Sequence, residues 1–232
     1  MYTILICDDD KDIRTALKIY LTGEGYRVLE AENGRDAVSV TEHNEVHLVL
    51  MDIMMPQLDG IETCRRMRER HSVPILFLSA KSEELDKLEG LEVGGDDYMT
   101  KPFSNMELIS KVKALIRRYR VYDSGNANRT NKDDSIETDG LKLFTNRNKV
   151  EFNDNEIKLT GKEYEILKLL MKNPDRIYTI EMIYEMVWDE VFTYNAKNTV
   201  MVHIKNLRNK LIKACGDACI HTEWGRGYRF ER

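Results

Sequence analysis

The chain has no run of about 18 consecutive apolar residues, so nothing in it is expected to span a membrane. Its opening residues, Met1-Tyr2-Thr3-Ile4-Leu5-Ile6-Cys7, run directly into Asp8. They carry no basic region and no small-residue cleavage site, so no signal peptide is expected and the cytoplasm is the expected compartment. Cysteine is sparse, with four in 232 residues. Cys7 and Cys64 fall inside apolar segments. Cys215 and Cys219 flank a turn near His221, but their spacing matches no common zinc finger, so buried or idle thiols are expected there. No internal repeat is visible. An overall positive charge is missing too: the net charge is −5, which argues against a general nucleic-acid binder.

What is present is unevenly distributed. Hydrophobic residues make up 42% and charged residues 32%, as in a soluble globular protein. Residues 1–118 hold 16 Lys/Arg against 22 Asp/Glu, net −6, whereas residues 119–232 hold 19 against 18, net +1. Within residues 195–232 the count is 8 against 3, net +5. An acidic front and a basic tail point to two domains with separate tasks.

The first half alternates short apolar runs with amphipathic stretches. Strands are expected at 2–7, 27–31, 47–51, 74–78 and 97–99, and helices at 12–21, 35–43, 60–70, 83–92 and 105–118. Near-continuous apolar strands, each followed by a helix, mean a parallel sheet covered on both faces, a doubly wound (βα)5 α/β domain over residues 1–119. Residues 120–135 are polar and aperiodic and read as a linker. The last part, 136–232, changes character. Strand-like alternation at 136–145, 149–153 and 157–159 precedes three helices, near 160–173, 180–187 and 197–214, and a hairpin at 219–232. Thr160 with Glu163 three residues on forms a capping box that starts the first of these helices.

In open α/β sheets chemistry gathers at the carboxyl ends of the strands. Here Asp8-Asp9-Asp10, Asp52, Ser79-Ala80 and Lys101-Pro102 follow strands one, three, four and five. If those strands lie side by side, the groups share one crevice. Clustered carboxylates repel and raise one another's pKa, and a divalent cation removes that repulsion. An all-oxygen donor set suits Mg²⁺. Lys101 offers a compact charge for a phosphoryl oxygen, Ser79 a hydroxyl, and Asp52 a carboxylate nucleophile. Helix capping explains Asp10 but neither Asp52 nor Lys101.

These residues, with Leu50-Met51-Asp52-Ile53-Met54-Met55-Pro56-Gln57-Leu58-Asp59-Gly60, Leu78-Ser79-Ala80-Lys81 and Gly94-Gly95-Asp96-Asp97-Tyr98-Met99-Thr100-Lys101-Pro102-Phe103, closely resemble the receiver domain of bacterial response regulators. The resemblance implies that Asp52 takes a phosphoryl group from a phosphohistidine of a sensor histidine kinase. It implies Mg²⁺ (or Mn²⁺) held by Asp9, Asp52 and the Met54 carbonyl, with Asp8 assisting through water. It also implies Ser79 and Tyr98 as a switch pair and a cis Lys101–Pro102 peptide. A haloacid-dehalogenase-type phosphatase would need a second acid two residues after the nucleophile, where this chain has Met54. A phosphoacceptor and regulator, not an enzyme, is the expectation.

In the tail, Val200, Ile204, Leu207 and Leu211 lie, at about 100° per residue, within roughly 60° of one another and form a buried stripe. Asn198, Val202, Asn206, Asn209 and Lys213 face away from it, with Lys205 alongside, as a major-groove helix requires. Asn206 and Val202 are expected at base edges; Lys205 and Arg208 lie nearer the DNA backbone. The segments 159–167, 185–188, 199–211 and 222–230 closely resemble the winged-helix output domain of the OmpR/PhoB family. The recognition helix and the Trp-Gly of the wing also resemble vancomycin-resistance-type regulators. The resemblance implies a recognition helix in the major groove, through Asn198, Met201, Val202, His203, Lys205, Asn206 and Arg208, and a wing, through Thr222, Trp224 and Arg226, near the minor groove. Trp224 stands where the family often has Arg, and Asn198 where Arg is common, so base preference does not transfer. His203 faces sideways, leaving phosphate contact and packing both open.

The family also implies homodimerisation on phosphorylation, with Lys87–Glu107, Asp97–Lys111 and Asp96–Arg118 pairing across a twofold axis, binding to double-stranded promoter DNA, and contact with RNA polymerase. The competing reading is a receiver that acts without phosphate, as a protein-interaction module or constitutive DNA binder. A complete acidic pocket argues against it.

Overall fold

The computed structural model describes residues 1–80, 90–123, 135–193 and 196–231, without the side chains of 80 and 118–123. The chain divides into two compact units, Met1–Tyr119 and Arg120–Arg232.

In the first unit the strands are β1 (Thr3–Cys7), β2 (Arg27–Ala31), β3 (Leu48–Asp52), β4 (Ile75–Ala80) and β5 (Asp97–Lys101). The helices are α1 (Lys11–Gly23), α2 (Gly34–His43), α3 (Gly60–Arg68) and α4 (Asn105–Asp123). All strand pairings are parallel, in the order β2-β1-β3-β4-β5. The ends of β1, β3, β4 and β5 therefore follow one another along the sheet edge, which is the condition the crevice needs. Strand alternation divides the core cleanly. Leu5, Cys7, Val49, Met51, Ile75 and Phe77 pack with Ala37, Cys64 and Met67 on one face. Ile4, Ile6, Leu48, Leu50, Leu76 and Leu78 pack with Leu17, Leu21, Leu108, Val112 and Leu115 on the other. Helices α1, α2 and α3 each start on a side-chain cap, Asp10, Asn33 and Asp59 in turn. Most of the helix expected at 83–92 lies outside the described residues. The last helix runs on to Asp123 and so takes in residues 120–123 of the expected linker.

The second unit opens with an antiparallel sheet, β6 (Ser135–Thr138), β7 (Leu141–Phe144), β8 (Lys149–Phe152) and β9 (Asn155–Glu156), in that order. The single strand expected at 136–145 is two. Asp139 and Gly140 both take positive φ, 45° and 81°, and turn the chain back, an Asp-Gly hairpin signal passed over in the sequence. The strand expected at 157–159 is not one: β9 ends at Glu156, with one last ladder bond from the Ile157 N–H to the Val150 carbonyl at 2.8 Å. Three helices follow, α5 (Gly161–Lys172), α6 (Ile180–Trp188) and α7 (Ala196–Cys215), then the hairpin β10 (Ile220–Glu223) and β11 (Gly227–Phe230). The capping box is present, with the Thr160 N–H donating to Glu163 Oε2 at 2.7 Å. The core joins the buried faces of all three helices to Leu141, Leu143, Ile220 and Phe230.

Candidate functional site

The receiver crevice is built as the strand order predicts. Asp8, fully buried, exposed Asp9 and nearly buried Asp52 each place a carboxylate oxygen within 4.8 Å of the others. Among the described residues this is the one such acidic, His or Cys group; Cys215, Cys219 and His221 form none. Lys101 Nζ donates to Asp8 Oδ2 at 2.7 Å and stands 3.1 Å from Asp52 Oδ2. The Asp10 N–H donates to Asp8 Oδ1 at 2.9 Å. Gly60 admits the close return of α3 onto this strand end, since a Cβ there would lie 2.1 Å from the Asp52 carbonyl oxygen.

The electrostatics follow from burial. Burial pushes the Asp52 carboxyl above the usual carboxylate range; Lys101 pulls it back, Asp8 pushes it further, and the Met54 N–H favours the charged form. Burial pulls the Lys101 ammonium down, but its contacts with Asp8 and Asp52 outweigh this and leave it raised. The donor set is hard oxygen only, which fits Mg²⁺ or Mn²⁺ and not a thiolate-seeking metal. Lys101–Pro102 is cis. Ser79 is buried at the end of β4, beside Thr100, and Tyr98 is half-buried against the core face of Phe77. Met54 is 69% exposed at the mouth.

Within one chain, Asp96, Asp97 and Lys111, expected to pair between receiver copies, have partners of their own. Asp97 pairs with Lys111 at 2.8 Å inside one chain. Asp96, 2% exposed, accepts from Arg68 Nη2 and from the Ile75 N–H, both at 2.9 Å. Its carboxylate is held between α3 and β4, and Arg68 was not foreseen. Glu107 is exposed; Lys87 and the Arg118 side chain lie outside the described residues.

In the second unit the stripe Val200, Ile204, Leu207, Leu211 is buried as expected, but the buried arc of α7 is wider than four residues. Val202 (6% exposed) and His203 (1%) belong to it, with the His203 ring 5.3 Å from Trp188. His203 therefore packs, and the Val202 side chain, expected at a base edge, is buried. Asn198 and Asn206 are half-buried. The exposed line is Lys197, Met201, Lys205, Asn209 and Ile212. Arg208, expected near phosphates, ties α7 to the hairpin. Its Nε donates to the Ile220 carbonyl at 2.9 Å and its Nη2 to Thr222 Oγ1 at 2.8 Å, while the guanidinium lies over the Tyr228 ring. Lys210 pairs with buried Glu163 at 2.6 Å. At the hairpin tip Trp224 is 91% exposed and Arg226 is exposed beside it.

Residues 4–113 match the response regulator receiver domain family, and residues 154–230 match the C-terminal domain of transcriptional regulatory proteins. The transcriptional regulatory protein YrkP of Bacillus subtilis is 46% identical, covering 99% of this chain and 98% of that protein. ResD of Bacillus subtilis is 42% identical, covering 98% and 95%, and SrrA of Staphylococcus aureus 39% over the same shares; both are named as transcriptional regulatory proteins. Among solved structures, a point mutant of RitR aligns over both complete chains with a TM-score of 0.78 at 23% identity, a likeness of fold. DrrB, an OmpR/PhoB homologue of Thermotoga maritima, aligns over both complete chains with a TM-score of 0.50 at 28% identity.

Proposed function

This chain belongs to the response regulators that join a receiver domain to a winged-helix output domain of the OmpR/PhoB type, and from that premise we propose how its residues carry out phosphorylation-dependent control of transcription. Asp52 is the phosphoacceptor. Its carboxylate oxygen attacks the phosphorus of a phosphohistidine on a sensor kinase; the P–O bond forms, the P–N bond breaks, and the electron pair leaves with the imidazole. Asp8, Asp9 and Asp52 are the side chains that would hold Mg²⁺, with the Met54 carbonyl beside them. The ion supplies charge neutralisation for phosphoryl oxygens gathering against carboxylates. Lys101 turns from the two carboxylates it bridges to a phosphoryl oxygen on Asp52. Ser79 and Tyr98, on β4 and β5 behind that group, respond to it and pass the change to the surface around Asp97 and Lys111. That surface serves a phosphorylation-dependent homodimer, and the output domains then bind promoter DNA in the cytoplasm and contact RNA polymerase.

The observation that carries this reading is the joint placement of Asp8, Asp9, Asp52 and Lys101 within one small cluster at the ends of β1, β3 and β5. The test is acid-labile phosphate incorporation from acetyl phosphate or a phosphorylated kinase. Asp52→Asn should abolish it, and excess chelator should reduce it to background in the unsubstituted chain. Full labelling of Asp52→Asn would remove Asp52 from the role.

A further inference from the structure

Arg14 sits on no strand end and belongs to no motif quoted above, yet it is buried directly beneath the acidic loop. It is 5% exposed on α1. Its Nη1 donates to the carbonyl oxygen of Asp8 at 2.8 Å and to that of Asp9 at 3.0 Å. Its Nη2 donates to Glu32 Oε1 at 2.7 Å, and its Nε lies 3.9 Å from Glu30 Oε2. That Nε has no hydrogen-bond partner among the described residues. Burying a guanidinium is unfavourable, and leaving one of its N–H groups unsatisfied adds to the cost. What the arrangement secures is the orientation of two successive peptide planes. Because each peptide is planar, holding the Asp8 and Asp9 carbonyls fixes the two planes that flank the Asp9 Cα, hence φ and ψ of Asp9 and the direction of its Cβ.

This matters unequally for the two acids. The Asp8 carboxylate is held directly, by Lys101 and by the Asp10 N–H. The Asp9 carboxylate is exposed, and no hydrogen bond or ion pair to it is found among the described residues. Its aim into the crevice depends on its backbone, which Arg14 grips. Arg14 also sets a fixed positive charge beneath the loop that carries Asp8 and Asp9. We propose that Arg14 is a positioning residue: by clamping the Asp8 and Asp9 carbonyls it holds the acidic loop in the form that binds a divalent cation. The proposal rests on the reading that Asp8, Asp9 and Asp52 hold that cation.

The experiment is calorimetric titration of the full-length chain with MnCl2 and MgCl2, beside metal-free melting curves. The variants are Arg14→Gln, Arg14→Lys, Glu32→Gln and Asp9→Ala. Arg14→Gln is expected to weaken cation binding by about 10- to 100-fold, the usual effect of removing a group that orients metal ligands. Arg14→Lys, with one ammonium able to reach a carbonyl, should fall between. Glu32→Gln should stay within about twofold of the parent, because it removes an exposed partner and leaves the carbonyl clamp. If Arg14→Gln does not fold, Arg14→Lys is read alone, and parental affinity in it overturns the proposal. A lower melting temperature in Arg14→Gln with unchanged cation affinity would show a purely structural role and also overturn it. If Asp9→Ala binds as the parent does, the cation reading itself fails, a result distinct from failure of the Arg14 assignment.

Discussion

Adding Mg²⁺ should stabilise the receiver by an amount that depends on pH in a direction the structure dictates. A ligand that binds only the folded state contributes RT ln(1 + [L]/Kd), about 2.7 kcal/mol at one hundred times Kd. For a unit of this size, roughly 4 °C accompanies each kcal/mol, so the receiver transition should rise by about 10 °C. Burial, partly countered by Lys101 and reinforced by Asp8, raises the Asp52 pKa in the fold above its unfolded value. The metal-free fold therefore binds that proton more tightly than the unfolded chain does. Asp52 therefore contributes stability that is full below its unfolded value and is lost as pH rises through the raised one. Cation binding needs the deprotonated carboxylate, so the Mg²⁺ increment is full above the raised pKa and shrinks as pH falls through it. Lys101, also raised, contributes stability that is complete below its unfolded value and lost only as pH rises through its folded one, so it stays charged across this window. Scanning calorimetry of the whole chain in chelator and in MgCl2, at matched ionic strength and at about pH 7.5 and about pH 5, measures the increment. Asp9→Ala should remove most of it. An increment that persists in Asp9→Ala, or that grows on acidification, would refute the argument.

Glu163→Ala should destabilise the output unit by about 2–3 kcal/mol, since it removes a capping-box acceptor from the Thr160 N–H and strands Lys210; Glu163→Gln, which keeps the acceptor, should cost about 1 kcal/mol in thermal melts. Lys205→Ala, on the exposed line of α7, should lower the salt slope of DNA binding by about one charge, read by titration at several salt concentrations. Val202→Ala should cost about 1–2 kcal/mol of stability and leave base preference unchanged; a relaxed preference with unaltered melting would restore Val202 to the groove. Trp224→Ala should leave melting within about 0.5 kcal/mol and weaken DNA binding in a mobility-shift assay.

The parallel sheet was legible because its inner strands β1 and β3 are buried on both faces and read as apolar runs, and because acids stand at the ends of both. The capping box and the four-residue stripe of α7 were legible because both depend on spacing alone. What escaped the sequence depends on partners far along the chain. Arg14 and Arg68 look like ordinary helix cations until the fold brings Glu32 or Asp96 to them, 18 and 28 residues away. Val202 escaped for another reason, while packing was one of the two readings open for His203. A four-residue stripe locates the centre of the buried arc of a helix, but the arc's width is set by what packs against it, for His203 the Trp188 ring. The Asp139-Gly140 turn was a local signal, overlooked because strand alternation continues on both sides of it.

The same distinction between a cation and its partners decides which part of the basic tail is available to DNA. Net charge over residues 195–232 counts Arg208, Lys210 and Arg229 equally with Lys197, Lys213 and Arg226. The fold does not. Arg208 is engaged by the Ile220 carbonyl and Thr222, Lys210 by Glu163, and Arg229 by Glu223, Asp175 and Glu231. These three set the position of α7 against the capping box and of the hairpin against α7. Lys197, Lys213 and Arg226 are exposed and lie at the two ends of α7 and at the hairpin tip. A charge that already has a partner releases few counterions when a phosphate approaches, whereas an exposed one releases about one. The salt dependence of DNA binding should thus report the exposed set, and specificity should report how firmly the partnered set holds helix and hairpin in register.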